Sequence, residues 1–241
     1  MAIYISKTRI DLEDVGYSNK ITNKAILKIL ENAGARQSET IHFGLNDMEN
    51  VGFSWILLGW KVKILKRPIY NEELTINTWG RESNRIFTYR DYEIYDESGE
   101  LCTIATSKWA IVDINTGKLR ELTPEIIEKY QCETKKVFKE DYTLKLKEPV
   151  TIIRRQEYKA QRRDIDINKH IHNLYYLDYA YETLPEEVYE APECNNIEIM
   201  YKKQIRLNDE FKCLYTKEEN QNIVTMKSKD ENTLHAIIKL Y

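Results

Sequence analysis

The feature that most constrains this chain is that it carries the same segment twice. Residues 66–74, KRPIYNEEL, return at 202–211 as KKQIRLNDEF with one residue inserted. Lys66 matches Lys202, Ile69 matches Ile205, Asn71 matches Asn208, Glu73 matches Glu210 and Leu74 matches Phe211. Each copy follows an apolar run, VKIL at 62–65 and IEIMY at 197–201. Upstream, NKAILKIL from Asn23 corresponds to NLYYLDYA from Asn173. The offset is 150 at this upstream segment and 136 to 137 at the downstream one, so the first copy holds about 13 extra residues between them. A repeat on that scale divides 241 residues into two units of one plan.

Local patterns supply the plan. Ala25, Ile26, Ile29, Leu30 and Ala33 form one helical stripe, and Leu174, Leu177, Tyr181 and Leu184 form its counterpart. Each helix starts at an Asn, a good cap for unpaired N–H groups, with Gly34 and Pro185 near the ends. Runs rich in β-branched and aromatic residues follow at Trp55–Lys66, Leu74–Arg81, Arg85–Tyr95 and Leu101–Ile114, then at Ile197–Leu207, Glu210–Lys217, Asn222–Ser228 and Thr233–Leu240. Asp96–Glu97–Ser98–Gly99 and Asn115–Thr116–Gly117 read as turns. Helix, then antiparallel strands, twice over, predicts an α+β chain of two tandem hotdog halves, each a long helix wrapped by an antiparallel sheet. The halves are expected at 1–130 and 148–241, with a charged linker at 131–147.

Composition narrows the function. Hydrophobic residues at 42% and charged residues at 31% give a globular balance. Eight glycines and five prolines leave little room for glycine-rich nucleotide loops. A net charge of −3 disfavours a general nucleic-acid binder. Lys7, Arg9 and Asp11 interrupt any signal-peptide core, and the longest apolar run, Phe53–Trp60, falls short of the roughly 18–20 residues that span a bilayer. Cys102, Cys132, Cys194 and Cys213 show no CxxC spacing, which predicts reduced thiols in a soluble cytoplasmic protein. His170 and His172 form an HxH pair without a third ligand in any matching motif, so no metal is expected.

Just ahead of the second helix the chain reads RRDIDINKHIHN. Asp166, Asn168 and His170 alternate, and in an extended segment alternate side chains face one way. The matching positions of the first half are Gly16, Ser18 and Lys20, so the fold does not need the trio and the site is expected in the second half alone. A carboxylate or imidazole moves protons, an amide orients a carbonyl or water, and the following helix N-terminus holds a developing oxyanion, a set suited to ester or thioester hydrolysis. The bland alternative makes Asp and Asn turn and capping residues and His a core residue.

Here the chain resembles the acyl-acyl carrier protein thioesterases of plastids and bacteria. RRDIDINKHIHNLYYLDYAYETLP at 162–185 resembles the family's basic pair, its Asp-x-Asn-x-His and its helix. LTINTW at 74–79 and RDYEIYDESGELCTIATSKWAIVDINTGKL at 90–119 resemble the family's hairpin. The resemblance implies a double hotdog fold, release of free fatty acid from the carrier at the end of fatty acid synthesis, and catalytic roles for Asp166, Asn168 and His170. The family's Tyr-Arg-Arg-Glu-Cys corresponds to Tyr201-Lys202-Lys203-Gln204-Ile205. Ile205 removes the thiol and Gln204 replaces an acid with an amide that can hold water but takes no proton, leaving Asp166 as the general base. The resemblance also implies an acyl pocket in the first half, for which Met48, Trp55 and Leu57, with Leu58, are the candidate lining residues. Arg154, Arg155, Arg162 and Arg163, in a strip with Lys159 against the single carboxylate of Glu157, are the candidate docking residues for an acidic acyl carrier protein. No cofactor, nucleic acid or membrane is implied, and the chain is expected as a monomer or homodimer. The rival readings are an acyl-CoA thioesterase of the same fold and a non-catalytic acyl-binding protein.

Overall fold

The doubled sequence folds into a doubled order of elements. The computed structural model describes residues 3–81, 85–140 and 145–241 and separates into two units, residues 1–142 and 143–241. In the first unit the strands are β1 (Tyr4–Arg9), β2 (Phe53–Ile64), β3 (Glu73–Gly80), β4 (Thr88–Tyr95), β5 (Leu101–Asp113) and the short β6 (Leu119–Arg120). The helices are α1 (Asn23–Thr40), α2 (Met48–Val51) and α3 (Pro124–Tyr130). The sheet runs β1-β3-β4-β5-β2 with β6 on β5, and its paired strands are antiparallel. Helix α1 lies against β1 and β3. It buries the expected stripe of Ala25, Ile26, Ile29, Leu30 and Ala33. Gly34 does not end α1 but sits mid-helix, where an added Cβ would come within 3.0 Å of the Tyr92 hydroxyl. A glycine there lets the helix approach the sheet closely.

The second unit holds β7 (Arg154–Lys159), α4 (Asn173–Thr183), α5 (Glu186–Tyr189), β8 (Asn196–Tyr201), β9 (Glu210–Glu218), β10 (Gln221–Ser228) and β11 (Leu234–Leu240), in the antiparallel order β8-β11-β10-β9-β7. Helix α4 packs on β7, β9 and β11. Its buried face is Tyr176, Leu177, Ala180 and Thr183, followed by Leu184. Leu174 and Tyr181 of the expected stripe are only half-buried. The rotation follows from Tyr176, whose hydroxyl accepts the Ile205 N–H at 3.2 Å and so belongs inside. Both helices begin where expected, but the caps stand one residue earlier. Thr22 accepts the Ala25 N–H and His172 Nδ1 accepts the Leu174 N–H. Asn23 is instead buried and bound by Arg67. Each unit is thus a helix against an antiparallel sheet, and the chain is two hotdog halves in tandem.

Backbone pairing also corrects the repeat. Ile10 and Ala160 hold equivalent hydrogen bonds to Asn71–Glu72 and Asn208–Asp209, with Asn71 and Asn208 both left-handed (φ 72° and 70°). Lys20 bridges Ile69, and His170 bridges Arg206. Ile69 is therefore the counterpart of Arg206, not of Ile205, whose counterpart is Pro68. Strands β1 and β7 are findings of the structure. Both are edge strands with alternating or partial exposure and little apolar signal. In the segment expected as a linker, Glu133 donates its N–H to Gly80, Lys135 accepts from the Trp79 indole and Val137 donates to Asp91. Among the described residues no helix is long and apolar enough to cross a membrane.

Candidate active site

The segment before α4 is a tight turn, not an extended strand. The Asp166 N–H donates to the His170 carbonyl at 2.9 Å, and the Lys169 N–H donates back to the Asp166 carbonyl at 3.0 Å. Lys169 is left-handed at φ 64°, and Ile165 and Ile171 pair at the base. Alternation along an extended chain is therefore not what assembles the trio. Closure of the turn sets Asp166 opposite His170, with Asn168 exposed near the crest. Asp166 Oδ1 accepts the N–H groups of Asn168 at 2.8 Å and His170 at 3.3 Å. Its Oδ2 has no hydrogen-bond partner among the described residues.

The turn rests on a fixed base. A short 3-10 turn, Arg162–Asp164, precedes it. The buried Asp164 carboxylate accepts the Gln161 N–H at 2.8 Å and the Tyr179 hydroxyl at 2.6 Å, tying that turn to α4. The Tyr179 ring in turn stands edge-on to Tyr158 of β7 at 4.9 Å. On the other side, Ile171 donates its N–H to the Ile205 carbonyl at 2.8 Å. Gln204 thus sits on the segment that pairs with the turn. It is exposed and lines an open cleft of about 890 Å³ with Lys203, Arg206, Lys229 and His235. Asp166, Asn168 and His170 are not in the cleft lining; the backbone pair His170–Arg206 connects the turn to it.

Burial is the main influence on the imidazoles. It holds the His170 pKa below the ordinary histidine value, with the Asp166 charge opposing the shift and Arg206 adding to it. His170 is therefore neutral at pH 7. His235 is shifted the same way by burial, and its Nδ1 lies 2.8 Å from the Lys203 carbonyl. A carbonyl only accepts, so Nδ1 carries the proton and Nε2 is the free acceptor. No sequence motif marks His235; Arg206 is marked only when the repeat is set in its correct register, opposite Ile69. None of the four cysteines is in a disulfide. Burial pushes the Cys213 thiol up to about 12 and the Cys102 thiol up to about 11, so neither is a nucleophile at neutral pH. Ile205 is fully buried. His172 is used by the helix cap.

The remaining candidates separate. Arg162 and Arg163 are exposed beside the turn, Arg163 lying 3.7 Å from Asp164. Arg154 donates to the Leu184 carbonyl at 2.9 Å and Arg155 lies 3.7 Å from Glu231, so both serve local structure. In the first unit Trp55 stands edge-on to Phe53 and Tyr130, against a buried cluster that includes Phe43, Ile111 and Ile126. Leu57 is buried in β2 at the bulge before Gly59, and Met48 opens α2 half-buried.

A turn bearing carboxylate, amide and neutral imidazole, leading into a helix N-terminus, can activate water and bind an oxyanion. Comparison with known proteins gives the context. The family model described as the acyl-ACP thioesterase N-terminal domain matches residues 2–130, and that of the C-terminal domain matches 147–239. The oleoyl-acyl carrier protein thioesterase 2, chloroplastic, of Arabidopsis thaliana is 25% identical over 228 residues, covering 88% of this chain and 62% of that protein. This chain thus spans about three fifths of that relative's length. Among solved structures, an acyl-ACP thioesterase from Bacteroides thetaiotaomicron superposes with a TM-score of 0.86 at 22% identity, over 99% of this chain and 97% of that one. The 12:0-ACP thioesterase from Umbellularia californica gives 0.87 at 17% identity, over 100% and 96%.

Proposed function

Because the chain belongs to the acyl-ACP thioesterase family, we propose that it hydrolyses acyl-acyl carrier protein thioesters in the cytoplasm, releasing free fatty acid and the carrier thiol. The observation that carries this reading is the Asp166–Asn168–His170 turn at the start of α4, whose counterpart in the first unit has the same backbone and none of the chemistry. Asp166 Oδ2 takes the proton from water as its oxygen attacks the thioester carbonyl carbon. Asn168 and the neutral His170 orient water and carbonyl, and Gln204 holds the water through its amide. His172 takes the Leu174 and Tyr175 N–H groups, so at the start of α4 the Asn173 N–H receives the oxyanion. When the C–S bond breaks, the thiolate takes the proton back from Asp166 and the carboxylate is restored. Four cysteines outside any disulfide, two of them buried, support a reducing compartment. Exposed Arg162 and Arg163 support an acidic partner, and the aromatic cluster around Trp55 supports an acyl pocket in the first unit.

The test is a screen of the purified protein against carrier protein loaded with acyl chains of several lengths, beside the same chains on CoA. Release of thiol from carrier substrates above the CoA substrates is the expected result. Preference for CoA would favour the acyl-CoA reading, and binding without turnover would favour the acyl-binding one.

A further inference from the structure

The corrected repeat register puts four pairs of surface residues in equivalent places: Leu12 with Arg162, Tyr17 with Ile167, Ile69 with Arg206 and Tyr70 with Leu207. In both units these positions are exposed. The first unit has four apolar side chains there. The second keeps two, Ile167 at 67% and Leu207 at 40% exposure, and changes the other two to arginine. Neither guanidinium stands in an ion pair among the described residues. The first unit folds with Leu12 and Ile69 in the same places, so the arginines are not required by the fold.

Backbone hydrogen bonds gather these residues around the candidate site. Arg162 opens the 3-10 turn that leads into Asp166. Ile167 lies within the Asp166–His170 turn. Arg206 pairs with His170, and Leu207 follows it in a turn closed by Asp209 N–H on the Arg206 carbonyl at 3.0 Å. Two unpaired guanidinium groups around exposed aliphatic side chains suit a surface with carboxylates around an apolar spot. An acidic amphipathic helix has that chemistry.

We infer that the carrier protein docks on this rim of the second unit, its acidic groups on Arg162 and Arg206 and its apolar residues on Ile167 and Leu207. The inference rests on the thioesterase reading above and names the surface that reading needs. It moves docking away from Arg154 and Arg155, which are engaged elsewhere, and places the carrier where its acyl arm begins beside Asp166 and His170.

The test compares R162E/R206E and I167S/L207S with wild type and with R36E/K118E, a charge-reversal control on exposed residues of the first unit. Two quantities are read: direct binding of holo-carrier protein by calorimetry, and the ratio of kcat/KM on acyl carrier protein to that on the acyl-pantetheine of the same chain. For R162E/R206E the ratio falls at least about tenfold at low salt and recovers towards wild type as salt rises, with a parallel loss of carrier binding. For I167S/L207S it falls without the salt dependence. The control keeps the wild-type ratio. A ratio within twofold of wild type in R162E/R206E, or an equal loss in the control, overturns the docking surface. If wild type binds carrier through this rim yet hydrolyses no thioester, the surface stands and the thioesterase reading falls.

Discussion

The turns that lead into α1 and α4 share a backbone and differ in nearly everything else. In one, Gly16 N–H donates to the Lys20 carbonyl at 3.0 Å and Asn19 N–H to the Gly16 carbonyl at 2.9 Å. In the other, Asp166, His170 and Lys169 repeat those bonds at 2.9 and 3.0 Å. The left-handed residue stands at the same place, Asn19 at φ 59° and Lys169 at φ 64°. A buried aspartate, Asp14 or Asp164, closes the preceding 3-10 turn in both. What changes is the side chains on that frame. The first turn offers Gly16, Ser18 and Lys20, the second a carboxylate, an amide and an imidazole. The position of Gln204 is filled in the first unit by Arg67, which donates to the Ile21 carbonyl at 2.9 Å and to Asn23 Oδ1 at 2.7 Å. At that position one copy ties its side chain to the start of the helix; the other leaves it open to solvent. The difference separates what the hotdog half requires from what the chemistry requires.

The sharpest way to break that comparison is to remove the carboxylate. Asp166→Asn keeps an acceptor for the Asn168 and His170 N–H groups, so the turn persists while the base is lost. Turnover is expected to fall by about 10²–10⁴ with the melting temperature unchanged. The reciprocal Gly16→Asp places a carboxylate on the first turn and is expected to leave turnover alone. Steady-state kinetics on both variants checks the pair, and near-normal turnover in Asp166→Asn removes Asp166 from the mechanism.

The exchange at Arg67 and Gln204 is expected to be smaller and of another kind. Arg67→Gln leaves the buried Asn23 side chain short of a charged donor and costs about 1–3 kcal/mol of stability. Gln204→Ala truncates an exposed side chain, so stability holds and only turnover drops, by roughly tenfold for loss of one water-holding group. Chemical denaturation and kinetics on the two variants separate a structural position from a functional one. A stability loss in Gln204→Ala matching that in Arg67→Gln would erase the distinction.

Acid should loosen the second unit first. Burial holds His170 and His235 below the ordinary histidine pKa of 6.5, so the unfolded chain binds their protons at higher pH than the folded chain. Their contribution to stability is complete above about pH 6.5 and is lost as pH falls from there through the folded values. The first unit's His42 has an exposed side chain. Hydrogen exchange between pH 7 and 5.5 should show protection falling around β11 and the Asp166 turn before it falls in α1. The double variant His170→Asn/His235→Asn should flatten that slope. An equal response in both units would mean that the histidines do not govern it.

How far the sequence could be read follows from the same residues. Asn23 and Asn173 marked the helix starts because periodicity and an N-terminal signal coincide there. The Asp96–Gly99 turn was legible because Asp96 Oδ1 accepts the Ser98 and Glu100 N–H groups and Gly99 takes φ 81°. The Asp166–His170 turn was not, because alternation of residue types looks the same in a strand and in a turn. What decides it is the Asp166 carboxylate on its neighbours' N–H groups and a lysine in the left-handed region. The α4 face was misplaced because a tyrosine's side is set by its hydroxyl partner, here the Ile205 N–H. The repeat slipped by one residue because Ile69 and Ile205 look alike, whereas backbone pairing equates Ile69 with Arg206. That slip hid an arginine at the site's edge.

The smallest expected effect lies at the left-handed residue itself. An L-residue at φ near +60° brings Cβ against its own backbone, and asparagine tolerates this better than lysine because its short polar side chain bonds locally. The first unit has Asn19 there and the second has Lys169. Lys169→Asn should therefore stabilise the second turn by about 0.5 kcal/mol, which for a chain of this size raises the melting temperature by roughly 1–2 °C. Turnover should not fall, because Lys169 makes no contact in the proposed chemistry and the backbone of Asp166 and His170 is held by the same bonds. Lys169→Val should do the opposite, since branching at Cβ sharpens the clash, and its loss should exceed the gain from asparagine. Thermal melts of the three proteins decide the matter. If asparagine destabilises, the two turns are alike in hydrogen bonding but not in strain, and Lys169 is held there by something other than its backbone.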